Sequence, residues 1–173
     1  MAYTNVSKST AHFNTKAYSG TGSSNGITGI GFQPDFVWIK NRSDAYDHVL
    51  FDAIRGVTNN LHSNDNSAEA TEAQTLTAFG TDGFTVGTDG KVNASSNNYA
   101  AYCWKAGTGA GSSNTDGSID TTTTSVNTTA GFSISKFTAT GSAATIGHGL
   151  GVAPKWIIVK RIDSTGSYQV YHG

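Results

Sequence analysis

Charge is scarce in this chain. Only 13% of its 173 residues are Asp, Glu, Lys or Arg, and the net charge is −1. The share in an average soluble protein is about 25%. Binding to nucleic acid by counterion release needs a basic excess, which is lacking, so no nucleic-acid partner is expected. The helix formers are also few: two glutamates, four leucines and one methionine. A helical bundle is thereby disfavoured. One cysteine, Cys103, excludes an internal disulfide. No apolar run approaches the ~20 residues that span a bilayer, so no membrane insertion is expected. The first residues lack the basic start and apolar stretch of a secretory signal, which predicts synthesis in the cytoplasm.

What is present is small and polar. Glycine, serine, threonine and asparagine together make 77 of the 173 residues, with ten isoleucines and ten valines among the rest. This composition predicts strands and turns. Strands are expected at 36–42, 48–52, 75–79, 83–87, 98–105 and 132–137. Asp82-Gly83 reads as a hairpin turn and Asp89-Gly90 as another turn. A short helical turn over 66–73, capped by Asn66, is a weaker alternative. The expected class is all-β: a β-sandwich of jelly-roll or lectin-like kind, followed by a linker and an incomplete second β unit. The boundaries are 1–106 for the first unit, 107–130 for a Gly/Thr-rich linker and 131–173 for the start of the second. The linker has too little apolar surface to offset its ordering entropy alone. Its threonine run is nonetheless suited to capture as a strand.

An internal repeat underlies that division. Phe13, Tyr18 and Gly22 match Phe132, Phe137 and Gly141 at a spacing of 119. After one inserted residue, Gly31, Pro34, Phe36 and Lys40 match Gly151, Pro154, Trp156 and Lys160 at a spacing of 120. Such agreement of glycine, proline, aromatic and lysine marks a repeat. Gly31, Pro34, Trp38, Gly151, Pro154 and Lys160 are therefore assigned to the fold; if Trp38 is core, Trp38→Ala is expected to cost ~3–5 kcal/mol, and an unchanged melting temperature would show it exposed. The second copy stops at Gly173, which corresponds to Ala53. A half-finished sheet leaves an edge to be completed by a longer chain or by a neighbouring subunit.

Catalytic chemistry finds little support. Asp82-Gly83 and Asp89-Gly90 lack the spacing of a calcium loop. The acids form no local carboxylate pair of the kind glycoside hydrolysis needs, and Asp44, Asp47 and Asp52 are expected to be solvated. His12, His48, His62, His148 and His172 show no zinc spacing. Cys103 lies among aromatics on a strand, as a small core residue would. The glycines at 107, 109 and 111 lack the Lys-Ser/Thr of a phosphate loop. No catalytic residue, cofactor or metal is expected. Lys40 and Arg42 end a strand and could recognise a sugar or a phosphate. Tyr46 and Tyr99 are the aromatics nearest the polar loops at 20–29, 43–47, 63–72 and 93–98, where recognition would sit.

Several phrases, GFQPDFVWIKNRS, HVLFDAIRG, SAEATEAQTLTAFGTDGFTVG, NNYAAYCWKAG and GHGLGVAPKWIIVK, resemble a repeat found in structural proteins of tailed bacteriophages, especially marine phages. The resemblance covers nearly the whole chain. It implies a β-sandwich-rich, assembling virion protein, with no catalytic residues carried over. The expected role is non-enzymatic: a tail-fibre or tail-associated component that mediates assembly and host-surface attachment. The expected partners are further copies of itself (a trimer favoured), other virion proteins and a host-surface glycan. A capsid decoration protein is the alternative. A polysaccharide depolymerase and a free-standing carbohydrate-binding module rank behind.

Overall fold

A computed structural model describes residues 6–173; residues 1–5 of the expected first unit lie outside the described residues. Its regular secondary structure is almost all strand. In chain order, β1 spans Phe13–Ser19, β2 Asn25–Thr28, β3 Phe36–Asn41, β4 Val49–Asp52, β5 Asn59–His62, β6 Ala70–Thr71, β7 Leu76–Gly80 and β8 Gly83–Val86. A four-residue helix α1, Gly90–Asn93, precedes β9, Asn98–Trp104. Then follow β10 Thr123–Asn127, β11 Phe132–Lys136, β12 Trp156–Val159 and β13 Gln169–His172. Among the described residues, no helix is long and apolar enough to cross a membrane.

Two antiparallel sheets face each other in the first unit. One has six strands in the order β1-β9-β3-β4-β5-β6, and the other three in the order β2-β8-β7. Side chains alternate across a strand, so one face of each sheet can turn inward. Val37, Ile39, Val49, Phe51, Ala101 and Cys103 of the large sheet meet Ile27, Leu76, Phe84 and Val86 of the small one in a single core. The all-β, sandwich-like class expected from composition is the observed one.

The inward set corrects two side-chain expectations. Trp38 is not core: it stands half-buried on the outer face of β3, and its indole Nε1 donates to His48 Nδ1 at 3.2 Å. The inward places on that strand belong to Val37, Ile39 and Asn41, because a period of two alternates Trp38 with them. Tyr99 is the converse. Expected beside a recognition loop, it is fully buried and its ring stacks on Tyr18 at 5.1 Å. Its hydroxyl accepts from Ala94 N at 2.7 Å and donates to Gly90 O at 2.8 Å. A buried phenol persists when its polar end is satisfied in this way.

The turns follow local chemistry. β7 and β8 are joined through Thr81-Asp82 with Gly80 paired to Gly83, the hairpin expected there. The Asp82 carboxylate accepts from Gly29 N at 3.0 Å and Gly31 N at 2.6 Å. These backbone bonds, from Gly31 first and then Gly29, hold the Asp82 carboxyl below its ordinary value. A depressed carboxyl stabilises the fold above the unfolded value of about 3.9 and loses that contribution as pH falls through the folded value. Acid unfolding of Asp82→Asn is therefore expected to depend less steeply on pH than that of the native chain below about pH 4. Urea midpoints at two acidic pH values would check it, and equal slopes would refute it. Asp89-Gly90 is not a simple turn: the Asp89 side chain accepts from Lys91 N and caps α1. The helical turn considered over 66–73 is absent. Ala70–Thr71 pairs with β5 instead, while Glu69 N donates to Ile162 O. Tertiary partners outweigh the weak local cap.

The segment 107–130, expected as a linker, carries β10 and is tied down along its length. Asp35, itself fully buried, accepts from Ala106 N at 2.7 Å, Thr108 N at 3.1 Å and Gly109 N at 2.8 Å. Thr121, Thr124 and Ser125 are buried, with the Thr124 hydroxyl 2.9 Å from those of both Thr121 and Ser135. Hydroxyl pairing does here what apolar burial could not. β10 pairs with β11, and Phe132 of β11 lies over Trp104 and Phe36 at centroid distances of 6.4 and 6.3 Å.

Part of the second unit repeats the backbone of the first. β12 lies 120 positions after residues 36–39 of β3, and β13 lies 120 positions after β4. The two pairs share one register: Phe36 with Asp52, Trp156 with His172. Gly22 and Gly141 have φ of +69° and +77°, and Gly31 and Gly151 of +90° and +73°. Only glycine takes that left-handed region without strain, which accounts for its recurrence.

Candidate functional site

One end of the sandwich gathers three loops. Asn93, buried, donates to Gly87 O at 2.6 Å and accepts from Thr21 N at 2.9 Å. Asn41, also buried, donates to Gly90 O at 3.1 Å and accepts from Ser43 N and Asp44 N at 2.9 and 3.0 Å. An amide carries donors and an acceptor on one short side chain, so it can stitch separate loops. The residues around 20–25, 41–46 and 90–98 are thus held as one surface.

Three of the four residues expected in recognition meet there. Lys40 Nζ donates to Tyr46 O at 2.6 Å, so its ammonium braces a turn. Arg42 is exposed, with its backbone N–H bonded to Asn98 O at 2.7 Å. Tyr46 is 41% exposed, and its hydroxyl lies so close to Gly90 that a Cβ there would approach it to 2.6 Å. Tyr99 lies beneath them in the core. The loop 63–72 belongs elsewhere: Asn66 and Ser67 accept from Lys160 Nζ at 3.2 and 2.8 Å. Lys160 also donates to Gly166 O at 2.7 Å, six residues on, as Lys40 does to Tyr46 O. The recurring lysine is a brace in both units. Pro34 is buried and Pro154 half-buried, each just before its strand.

A second surface is aromatic. On the outer face of the six-stranded sheet, Trp38 sits 6.1 Å from Tyr102 and 6.0 Å from His48 between ring centres. Tyr102 is 40% exposed. Sequence reading placed Trp38 inside and therefore missed this surface; the pairing of β3 with β9 creates it.

Several titratable groups lie in clusters, in which His62 Nε2 is buried without a hydrogen-bond partner among the described residues. Arg55, a residue with no local signal, lies buried between Asp52 and Glu69, 2.8 Å from the latter. Asp52 is accordingly buried, not solvated as expected. Both carboxylates are engaged by the guanidinium, so they do not form a free acid–base pair. Asp47, His62 and Asp65 bring ligand atoms within 4.8 Å of one another. Burial pushes the Asp65 carboxyl up, but hydrogen bonds from His62 and Ser67 outweigh it and hold the group below its ordinary value. The His62–Asp65 contact at 2.9 Å accounts for the cluster as a hydrogen-bonded group, and no metal is assigned to it.

Cys103 faces the core, and burial pushes its thiol up to about 12. A thiolate is the nucleophile, so this one is inert at neutral pH. Native protein is expected to resist a thiol reagent that labels it fully once unfolded; rapid native labelling would refute the burial.

Among the described residues, most of the exposed large apolar side chains lie on the hairpin of β12 and β13. Trp156 is 61%, Val170 62% and Tyr171 58% exposed. Beside it runs a shallow groove lined by Asp116, Ile146, His148, Val152 and Ala153.

No curated protein matches this chain, and no solved structure does. A family model described as a domain of unknown function, DUF7483, matches residues 8–173, and the chain belongs to that family.

Proposed function

We propose that this chain is a non-enzymatic structural module of a tailed-phage virion, acting in a tail fibre or tail-associated component through assembly and host-surface attachment. The observation that supports an assembling role is the exposed apolar hairpin of the second unit. Monomeric proteins rarely leave such a face uncovered. The small, polar composition and the sequence resemblance to phage structural proteins support the viral setting. Contact with a host-surface glycan would use aromatic rings, and exposed Tyr102 beside half-buried Trp38 offers such a pair.

Imaging of intact particles labelled on this protein tests the reading. Symmetric copies on the tail, trimeric in the favoured case, are expected. A regular shell of many copies would turn the reading to capsid decoration. Absence from particles, with saturable glycan binding by a soluble monomer, would replace it by a carbohydrate-binding module.

A further inference from the structure

Three side chains of the first unit are placed to react with one another. Asn60 lies on β5 and is 1% exposed. Its Nδ2 donates to Ala70 O at 3.2 Å and to Glu72 Oε2 at 2.8 Å. Among the described residues, its Oδ1 is buried without a hydrogen-bond partner. Lys91 lies on α1, and its Nζ donates to Glu72 Oε1 at 2.6 Å and Oε2 at 2.5 Å. One carboxylate oxygen thus joins the amine to the carboxamide. The lysine side chain is only 15% exposed.

Each group is fixed by its own element. Glu72 follows β6; its N–H donates to Thr58 O at 2.9 Å, and its carbonyl accepts from Thr75 N at 3.1 Å and Thr75 Oγ1 at 2.7 Å. The Asp89 side chain accepts from Lys91 N at 2.8 Å and so sets the start of α1. β5 and β6 pair Asn60 with Ala70. Groups held in this way gain the advantage of proximity, which turns a slow bimolecular aminolysis into a reaction within one molecule. The carboxylate touches both nitrogens whose protons must move. Burial of Asn60 keeps water from the acyl carbon, so hydrolysis does not compete.

We propose that Lys91 and Asn60 form an intramolecular isopeptide bond, with Glu72 moving the protons. Glu72 takes a proton from the Lys91 ammonium, and the amine lone pair forms the Nζ–Cγ bond to Asn60. The Cγ–Nδ2 bond breaks as Glu72 returns that proton to Nδ2. Nζ sheds a second proton on becoming an amide nitrogen, and the leaving nitrogen departs with it as ammonium. Glu72 ends as the carboxylate it was. Nothing is oxidised or reduced, and no co-reactant is needed. The bond closes residues 60–91 into a covalent ring that encloses β6, β7 and β8. Such a link restricts the unfolded chain as a disulfide does, in a protein whose one cysteine allows no internal disulfide. It goes beyond the assembly reading and does not depend on it.

Mass spectrometry of the purified chain, denatured before measurement, tests the bond. The expected mass is that of the sequence less one ammonia. Peptides then locate the loss. Trypsin is expected not to cut after Lys91, and further cleavage at glutamate to yield residues 56–69 joined to 73–105. Glu72→Gln keeps the size of the side chain but takes no proton, so it is expected to show the undiminished mass and no joined peptide. Lys91→Arg is expected to do the same. A native chain that gives Asn60 and Lys91 in separate peptides would overturn the proposal and leave the group an ion pair. So would loss of ammonia without the joined peptide, which places the loss elsewhere as a succinimide. A joined peptide in Glu72→Gln would overturn the role given to Glu72. The native mass and peptides decide the bond without any variant, so a variant that fails to fold does not obscure the result.

Discussion

Asp35→Ala is expected to lower the unfolding free energy by about 4 kcal/mol, a large part of a typical domain's stability. Its carboxylate is fully buried and accepts from the backbone of Ala106, Thr108 and Gly109. Removing the acceptor strands three N–H groups at a site that water reaches poorly, at roughly 1–3 kcal/mol each and less than additively. Asp35→Asn keeps one carbonyl oxygen, so its loss should be about half as large. Urea unfolding of the three proteins measures this. An Asp35→Ala loss below about 1 kcal/mol would mean that the 106–109 turn finds other partners. The effect reaches beyond the turn. This carboxylate ties the start of β3 to the segment that leads from β9 into β10, so exchange in β10 should rise as well.

The second large effect is expected at Arg55. Its guanidinium is 5% exposed, held by Asp52 and Glu69 and donating to Leu50 O at 3.1 Å. Arg55→Ala leaves Asp52 as a buried charge without its partner, and breaking such a pair costs about 3–5 kcal/mol. Replacing the group by apolar residues of similar volume is the informative control. If Arg55→Met combined with Asp52→Leu recovers most of the loss, the penalty is the orphaned charge and not the missing ion pair. A single Arg55→Ala variant with unchanged thermal midpoint would refute the burial of this cluster.

The strands were legible because alternation and turn residues are local. β3, β4, β7, β8, β9 and β11 begin and end within a residue or two of where the patterns put them. Which face of a strand turns inward was not legible. Period two says that Trp38 and Val37 oppose each other, not which is buried. Tyr99 was misplaced for a related reason: nearness to a polar loop carries no information on depth. β10 escaped because its burial depends on hydroxyl pairs, which hydropathy cannot register. Arg55 was invisible because its partner Glu69 lies 14 positions away and is brought near only by folding. The lysine brace shows the opposite case. The repeat singled out Lys40 and Lys160, but only the folded chain shows that both bind the carbonyl six residues ahead.

The place of β9 in the sheet has a consequence for the order of events during synthesis. It is flanked by β1 and β3 yet last of its sheet in sequence, and it pairs Trp104 with Phe13. β1 and β3 emerge from the ribosome early and cannot be bridged until the residues up to 104 have followed. Closure then depends on contacts of long sequence separation, which form slowly. During that interval β3 and β4 stand as a hairpin with an apolar face and one open edge, the state in which a nascent chain is most open to mispairing. β12 and β13 share the register of β3 and β4, so this pairing of strands forms without a β9 beside it.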